Sequence, residues 1–427
     1  MIALTLFGTL LIMLVAGIPI AVALGLSTIL SLLLFTNEPT LLIAQKLFVS
    51  LDKYALMAIP LFVLMGNFLS QGGAAHRIIR FARSVVGHLP GGLPMSAIFA
   101  CVIFAAVSGS SPATVAAIGS IMMGAIKDDG YSSRFSVGSI VSSGSLGIII
   151  PPSIVLIVYG VTVDQSIGKL FMAGVLPGIF LGGLLMIVTY VAAVMGGHKR
   201  KKMAPFSEIW GTFKEAIWGL FVIIIVIGGI YGGLFTPTEA AAVSAVYAFI
   251  TVKFIYGDLS WKQIPAVIKS SAATAAMIMF IIANAMIFAH LLTIEQMPQD
   301  LANWIISLNL NMYMFLILLN LLLLLAGNFM EPSSLIMILA PLIFPIAVQL
   351  GVDPIHLGVI ITVNMEIGML TPPVGLNLFV ASGISGLTLQ DTIRASMPWF
   401  FALLFGLIVI TYVPWISTFI PNMIYGG

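Results

Sequence analysis

Long apolar runs, separated by short polar segments, fill most of the 427-residue chain. The runs are continuous and do not alternate with a period of two residues, so they predict α-helices rather than membrane β-strands. A helix needs about 20 apolar residues to cross a bilayer. The first half of the chain therefore predicts one amphipathic helix in the membrane interface, at 41–54, and crossing segments at 2–16, 18–35, 55–71 and 169–195.

Each half also contains two interrupted segments. In the first half, two apolar stretches that are too short to cross flank residues 108–112 and predict a re-entrant hairpin at 94–126. A broken helix follows at 135–162, with its interruption at 147–152. The matching segments of the second half are a hairpin at 310–350, split at 327–332, and a helix at 355–385, broken at 368–373.

The rest of the second half repeats the arrangement of the first. It predicts an amphipathic stretch at 258–270 and crossing segments at 216–234, 237–256, 271–292 and 398–419. Landmarks recur at a near-constant separation: Pro112 with Pro332, and Pro151-Pro152 with Pro372-Pro373. Each half has an odd number of crossings, so the second half starts on the opposite side of the membrane. We predict two inverted repeats, 1–195 and 215–427, joined by a basic cytoplasmic linker at 196–214.

Composition and charge narrow the class of protein. Hydrophobic residues make up 60% of the chain and charged residues only 7%, against about 25% in an ordinary soluble protein. This composition excludes a water-soluble globular protein, a disordered chain and a nucleic-acid binder. With the linker in the cytoplasm, most Lys and Arg residues fall on the cytoplasmic side, and both termini are predicted to be periplasmic. The single cysteine, Cys101, excludes an intrachain disulfide.

The helix breaks are the candidate ion sites. Proline has no N–H group, so the pair at 151–152 frees the carbonyls of Gly147 and Ile148, and the pair at 372–373 frees those of Gly368 and Met369. Carbonyl oxygens suit Na⁺, and the amino ends of half-helices suit anions. The hairpin tips add hydroxyl groups: Ser108, Ser110, Ser111, Thr114, Ser333 and Ser334. The pattern predicts one oxygen cage per half, although Pro and Gly can also simply kink a membrane helix.

Polar residues inside the apolar runs are further candidates. Glu331 at the second tip could bind Na⁺, bind substrate or carry a proton, whereas Glu366 could equally be a helix-pairing residue. Asn364 and Asn377 flank the second break and could line a polar cavity. Glu239 follows Thr236-Pro237-Thr238, a sequence that favours a capping box over a ligand site. No Walker motif and no catalytic constellation is present, so an enzyme is not predicted.

Four stretches together resemble one transporter family: residues 106–114, 147–153, 236–241 and 371–375. They are similar to the large membrane subunit of TRAP (tripartite ATP-independent periplasmic) transporters, and the resemblance covers essentially the whole chain. It implies Na⁺-driven import of an organic acid, such as a C4-dicarboxylate or sialic acid, across the bacterial inner membrane. It also implies two partners, a small four-helix (Q-type) membrane subunit and a periplasmic substrate-binding protein. Overall likeness favours the sialic acid branch.

The resemblance further implies a mechanism and a set of residues. The fold would be similar to that of divalent-anion/sodium symporters, with hairpins and broken helices moving as an elevator past a scaffold formed within 1–71 and 216–292. Because the chain begins at its first span, the small subunit is expected to be separate. The predicted Na⁺ ligands are Ser108, Gly109, Ser110, Ser111, Gly147, Ile150, Pro151, Gly327, Glu331, Gly368, Thr371 and Pro372. The predicted substrate contacts are Ser110, Pro152, Glu331, Ser333, Asn364, Pro373 and Asn377.

Two other transport functions remain open at this stage. A stand-alone Na⁺/dicarboxylate symporter of similar fold would need no periplasmic protein. A carrier or channel for H⁺ would use Glu331 and Glu366 and would work without Na⁺. An intramembrane enzyme is the weakest alternative, because the sequence shows no nucleophile with a base and no metal-ligand set.

Overall fold

The computed structural model of the protein describes residues 2–36, 39–307 and 310–426. Within these ranges the regular structure is entirely helical. Seven of the described helices are long and apolar enough to cross a membrane: Tyr54–Gln71, Ile167–Met195, Phe206–Tyr231, Pro237–Tyr256, Ile264–Ile294, Pro332–Gln349 and Leu389–Tyr412. The predicted class, an all-α polytopic membrane protein, is confirmed.

The first half runs from the amino terminus to the end of α10. A 3₁₀ turn at Tyr54–Met57 leads into α4, and a second one at Ser145–Ile148 follows α8. The helices are α1 (Ile2–Val15), α2 (Ile20–Phe35), α3 (Thr40–Leu51), α4 (Ala58–Gln71), α5 (Ala74–Val86), α6 (Gly92–Ser108), α7 (Ser111–Asp128), α8 (Ser133–Gly144), α9 (Ile154–Thr162) and α10 (Ile167–Met195).

The second half begins with a helix that continues through a π-helical turn at Ile224–Gly228, and a second π-helical turn at Thr251–Tyr256 extends α13. The helices are α11 (Phe206–Ile223), α12 (Gly229–Tyr231), α13 (Pro237–Ile250), α14 (Ile264–Ile294), α15 (Met297–Ser307), α16 (Met312–Gly327), α17 (Pro332–Gln349), α18 (Pro354–Gly368), α19 (Leu376–Ser385), α20 (Leu389–Tyr412) and α21 (Trp415–Tyr425).

The hairpins and the broken helices form where Gly and Pro interrupt the apolar runs. Helix α6 ends at Gly109, whose φ of +60° is a left-handed conformation that glycine adopts without a steric penalty. Pro112 and Pro332 lie in the first turns of α7 and α17, where a missing N–H costs no hydrogen bond. The first broken helix consists of α8 and α9, and the second of α18 and α19. The bonds Pro151–Pro152 and Pro372–Pro373 are both cis.

Two predicted segments of the second half are wrong in detail. The stretch at 258–270 and the span at 271–292 are not separate, because α14 runs unbroken from Ile264 to Ile294. The final span at 398–419 is two helices rather than one. Helix α20 begins earlier, at Leu389, because Thr388 caps it by accepting from the Asp391 N–H, and it ends at Tyr412, just before Pro414.

Three helical segments were not anticipated. The second part of the predicted linker, from Phe206 onward, already belongs to α11. Helix α5 occupies the basic stretch before the first hairpin, and α15 lies at the corresponding place before the second. Both α5 and α15 carry polar residues along one face, so they lack the long apolar run on which the assignment of spans depended.

The two halves interlock around the hairpins. Helix α7 of the first hairpin packs on α8 of its own half and on α19 of the other half. Helix α17 of the second hairpin packs on α9, the second piece of the first broken helix. A separate group, in which α4 packs on α13 and α14 and α14 packs on α2 and α3, borders this assembly. Each hairpin therefore contacts pieces of both broken helices.

Candidate functional site

The first hairpin tip is closed by hydroxyl groups. The Ser108 and Thr114 hydroxyl oxygens lie 2.6 Å apart and 3.2 and 2.9 Å from the Ser110 carbonyl oxygen, so one hydroxyl donates to the other, which donates to the carbonyl. Ser110 is the N-cap residue of α7, but its side chain makes no capping hydrogen bond. Ser110 lines a cavity, and the tip presents oxygen atoms without carrying a charge.

The first tip lies directly against the first break. A Cβ atom on Gly147 would come within 2.7 Å of the Ser110 carbonyl carbon and oxygen. A Cβ atom on Gly109 would come within 2.7 Å of the Pro152 carbonyl oxygen. Real Cβ atoms do not approach backbone this closely, so main chain meets main chain at both contacts. The structure thus brings together the four predicted site residues Gly109, Ser110, Gly147 and Pro152.

The second hairpin tip is built around a carboxylate. Glu331 is the N-cap residue of α17, and its Oε2 accepts from the Ser334 N–H at 3.0 Å and from the Ser334 hydroxyl at 3.2 Å. Its Oε1 accepts from the Ser333 hydroxyl at 2.8 Å. A carboxylate at this position is stabilised by these bonds and by the positive end of the helix dipole.

The second tip also meets its break through glycine. A Cβ atom on Gly368 would lie 2.9 Å from the Gly327 carbonyl carbon and oxygen. The Asn328 carbonyl accepts from the Val374 N–H at 3.1 Å, which ties the tip to the loop after the break. The predicted residues Gly327 and Gly368 are therefore in contact, as Gly147 and Ser110 are in the first half.

Three of the four carbonyls that the prolines were predicted to free accept hydrogen bonds from other groups. The Ile148 carbonyl accepts from the Ser153 hydroxyl. The Gly368 carbonyl accepts from the Thr371 N–H at 3.0 Å, and the Met369 carbonyl accepts from the Asn377 N–H at 3.2 Å. Local chain folding therefore replaces the lost helical bonds. A carbonyl oxygen with one hydrogen bond keeps a second lone pair, so these atoms can still face a cation.

Polar side chains in the core join the two halves. The Asn377 amide donates to the Ser111 hydroxyl at 2.7 Å, and that hydroxyl donates to the Gly144 carbonyl at 3.2 Å. The Ser145 hydroxyl donates to Glu366 Oε1 at 3.1 Å. Both bonds connect the first half with the second broken helix. Glu366 Oε1 is thus hydrogen-bonded to the first broken helix, and Glu366 Oε2 is buried without a hydrogen-bond partner among the described residues.

A cavity of about 250 Å³ lies between the two tips and the helices α4 and α14. Ser110 and Glu331 reach it from the tips, and Asn67 and Thr274 from the other side. The amino ends of four helices also border it, those of α7, α9, α17 and α19. In the described part of the chain, no Lys, Arg or His lines this cavity.

The amino ends of α7, α9 and α19 make the cavity suited to an anion, whereas that of α17 already holds the Glu331 carboxylate. The first backbone N–H groups of a helix have no intrahelical partner and carry a partial positive charge. Such helix ends bind carboxylates and phosphates without a basic side chain. The cavity is thus a candidate site for an organic anion, with oxygen-rich contacts between tips and breaks at its border.

A match to a family model shows which family the chain belongs to. The model of the "Tripartite ATP-independent periplasmic transporter, DctM component" matches residues 7–416. The chain belongs to this DctM family. It is therefore a multi-pass membrane transporter and not an enzyme, as the sequence resemblance implied.

Individual relatives agree with the DctM assignment. The chain is 48% identical to the C4-dicarboxylate TRAP transporter large permease protein DctM of Rhodobacter capsulatus, over 99% of both chains. It is 34% identical to the sialic acid TRAP transporter large permease protein SiaM of Vibrio cholerae, over 97% of both chains. The crystal structure of the YdaH transporter of Alcanivorax borkumensis, which has an unusual topology, matches the fold of this chain. The TM-score is 0.61 and the sequence identity is 15%. That match covers 89% of this chain and 88% of the other, and it shows the fold alone.

Within this DctM fold, the predicted site residues separate into two groups. Those that line the cavity are Ser108, Gly109, Ser110, Glu331 and Ser333. Those that do not line it include Asn364, which is buried and bonded to Asn320, and Asn377, which is bonded to Ser111. Pro372 and Pro373 are exposed.

The sequence reasoning missed the wall of the cavity opposite the tips. Asn67 of α4 and Thr274 of α14 line it, and the Asn67 amide donates to the Ser271 hydroxyl at 2.8 Å. Polar residues within otherwise apolar spans were the available signal. Glu239, by contrast, forms the expected capping box with Thr236, so its structural interpretation is confirmed.

Proposed function

We propose that the chain is the large permease subunit of a Na⁺-coupled transporter that imports a C4-dicarboxylate supplied by a periplasmic binding protein. The observation that carries the proposal is the cavity bordered by both hairpin tips and by four helix amino ends. Together these provide positive dipole ends for the anion and a border of carbonyl and hydroxyl oxygens for Na⁺.

The substrate class follows from size and similarity. Pockets for drug-sized ligands measure about 300–1,000 Å³, so a cavity of about 250 Å³ suits a compact acid better than a bulky sugar acid. The relative named for C4-dicarboxylates is 48% identical to this chain, and the relative named for sialic acid 34%. We therefore replace sialic acid by a C4-dicarboxylate as the expected substrate.

Na⁺ coupling is supported by the two contacts between tip and break. In the first half, Ser110 lies against Gly147 and Gly109 lies against Pro152, and in the second half Gly327 lies against Gly368. The proposed ligand sets add Ser108, Ile150 and Pro151 to the first contact, and Glu331 and Thr371 to the second. In a proton carrier, Glu331 or Glu366 would have to exchange protons with water. Glu331 caps a helix with three hydrogen bonds, and Glu366 is fully buried and bonded to Ser145, which favours Na⁺.

We further propose an elevator movement. Helices α6–α9 and α16–α19 interlock across the two halves and would move as one body past the group formed by α2, α3, α4, α13 and α14. A small four-helix membrane subunit would bind this scaffold, and the binding protein would dock on the periplasmic side. In this arrangement the chain lies in the bacterial inner membrane with both termini periplasmic. Labelling of a cysteine added near residue 426, from the periplasmic side, would test the position of the carboxyl terminus.

The experiment is uptake of labelled succinate by proteoliposomes that contain this chain with its small subunit. The binding protein and an inward Na⁺ gradient are each added or omitted, at fixed pH. We expect uptake only when both are present. Uptake with Na⁺ alone would identify a stand-alone symporter, and uptake that persists without Na⁺ would overturn Na⁺ coupling. Labelled sialic acid, tested in parallel, decides the substrate class.

A further inference from the structure

A second and larger space adjoins the substrate cavity. This crevice has a volume of about 660 Å³ and lies between α4 and α5 on one side and α7 on the other. Under the proposed topology, this end of α4 and the basic helix α5 face the cytoplasm. Unlike the cavity, the crevice contains basic side chains, those of His76, Arg77 and Arg80.

The cavity and the crevice are lined by successive turns of the same two helices. On α7, Ala113 borders the cavity, and Ala117 and Ser120 border the crevice. On α4, Asn67 borders the cavity and Ser70 borders the crevice. Small and polar residues thus continue from one space to the other, and an anion leaving the cavity along α7 would reach the arginines next.

The two arginines differ in how firmly they are held. Arg77 donates to the Gly73 carbonyl at 3.1 Å and pairs with Asp258 at 2.5 Å, and its guanidinium lies 3.8 Å from the centre of the Tyr256 ring. Its side chain is 18% exposed. A Cβ atom on Gly73 would lie 2.3 Å from Asp258 Oδ2, so a larger residue here would displace the Asp258 carboxylate. Arg77 is therefore a fixed charge in the wall.

Arg80 is the more available group. It pairs with Glu215 at 2.5 Å, but its side chain is 57% exposed. A guanidinium has five N–H donors, so donors remain for a second carboxylate. Glu215 does not line the crevice, and the acidic side chain that does, Asp258, is occupied by Arg77. An incoming carboxylate would therefore share Arg80 with Glu215.

We propose that this crevice is the exit path toward the cytoplasm and that Arg80, supported by Arg77, forms a second carboxylate-binding site within it. The inference rests on the proposed transport of a dicarboxylate. Helix amino ends hold the anion in the cavity, and a guanidinium receives it in the crevice. Because Arg80 is shared with Glu215, binding there is weak, and the anion can leave into water.

The test measures the charge of the crevice without requiring transport. Ser120→Cys, in the complete complex with the small subunit, places a thiol in the crevice, while the native Cys101 is fully buried. We compare the labelling rates of this thiol with an anionic and a cationic methanethiosulfonate reagent. Succinate is expected to slow the anionic reagent. Charge-lined clefts concentrate counter-ions roughly tenfold or more, so Arg80→Gln should lower the anionic-to-cationic rate ratio about tenfold.

Glu215→Gln is the matched control, because it breaks the same ion pair but leaves the guanidinium in place. A purely structural role predicts the same effect for Arg80→Gln and Glu215→Gln. The anion site predicts opposite effects, with a raised ratio in Glu215→Gln. Equal shifts in the two variants, no shift in either, or labelling that succinate does not slow would overturn the proposal.

A transport measurement completes the test. In proteoliposomes loaded with succinate, Arg80→Gln should raise the internal concentration needed for half-maximal efflux about tenfold, whereas Arg83→Gln, on the same helix but outside the crevice, should not. An equal effect of Arg83→Gln would contradict the exit path. If the unmodified complex transports no succinate, the proposed function fails, and the labelling ratios still decide whether the crevice binds an anion.

Discussion

The two hairpin tips occupy matching places and close in different ways. The first is neutral, with the Ser108 hydroxyl joined to Thr114 and to the Ser110 carbonyl. The second places the Glu331 carboxylate at the amino end of α17. Both tips press their main chain onto a glycine of the neighbouring break, Gly147 or Gly368. The common part of the two sites is therefore backbone, and the difference lies in one side chain.

This difference predicts unequal ion sites. At the first tip a cation would meet only dipoles, those of carbonyl and hydroxyl groups. At the second tip the cation would also meet the negative charge of Glu331. A charged oxygen attracts a cation more strongly than a neutral oxygen does. We expect the second site to bind Na⁺ more tightly than the first. The predictions below test this comparison, starting with the largest expected effect.

The shared glycine contact is the most sensitive part of both sites. Gly147→Ala would place a Cβ atom 2.7 Å from the Ser110 carbonyl, and backbone on both sides leaves little room to relax. Overpacking of this kind costs about 1–3 kcal/mol, so we expect Na⁺-dependent uptake to fall between about fivefold and a hundredfold. Gly124→Ala, in the same hairpin with nothing within 4 Å, is the control and should transport normally. Equal activity of the two variants would show that the contact is unimportant.

The carboxylate is the feature that distinguishes the second tip. Glu331→Gln keeps the size of the side chain but removes its charge and weakens its bonds to Ser333 and Ser334. Hydrogen bonds to a charged group contribute about 1.5–3 kcal/mol, so the Na⁺ concentration for half-maximal uptake should rise about tenfold or more. The measurement is a Na⁺ titration of uptake at saturating succinate. An unchanged titration curve would remove Glu331 from the ion site.

The neutral tip should respond less. Ser110→Ala removes the hydroxyl of a residue that lines the cavity, and this hydroxyl caps no helix. A neutral hydrogen bond or ligand contact contributes about 1 kcal/mol, so the Na⁺ requirement should rise about fivefold. Ser120→Ala, on the same helix but bordering the crevice, should leave the Na⁺ titration unchanged. A larger effect at Ser110 than at Glu331 would reverse the proposed order of the two sites.

The capping box at the start of α13, away from the tips, shows what the loss of a helix cap does on its own. Thr236→Ala removes the cap of α13, where Thr236 and Glu239 bond to each other's backbone. The stability of the complex should fall by about 1 kcal/mol, with no change in the Na⁺ titration, and Thr236→Ser should restore it. Thermal unfolding in detergent is the measurement. An altered Na⁺ requirement at normal stability would contradict a purely structural role.

Features encoded by neighbouring residues could be predicted from the sequence. Helix breaks depend on prolines that lack an N–H, and the capping box at Thr236 depends on residues three positions apart. The four helix interruptions therefore fall close to their predicted positions, and the re-entrant course of the hairpins stays a prediction. Helix α5 was missed because its short, one-sided apolar face does not resemble a membrane span.

Features that depend on distant partners were beyond the reach of the sequence. Asn377 was expected to line a cavity, yet it bonds to Ser111, which lies 266 positions away. The contact of α17 with α9 places pieces of both halves around one cavity. Periodicity and composition describe each segment separately, so they cannot show which segments become neighbours.

The glycine contacts at 147 and 368 also bear on protein engineering. They bring backbone against backbone at the tips, and a point substitution cannot delete a main-chain carbonyl. The opposite wall of the cavity is formed by side chains, among them Asn67 and Thr274. A mutant library confined to that wall could therefore retarget the transporter to other acids while its response to Na⁺ stays the same.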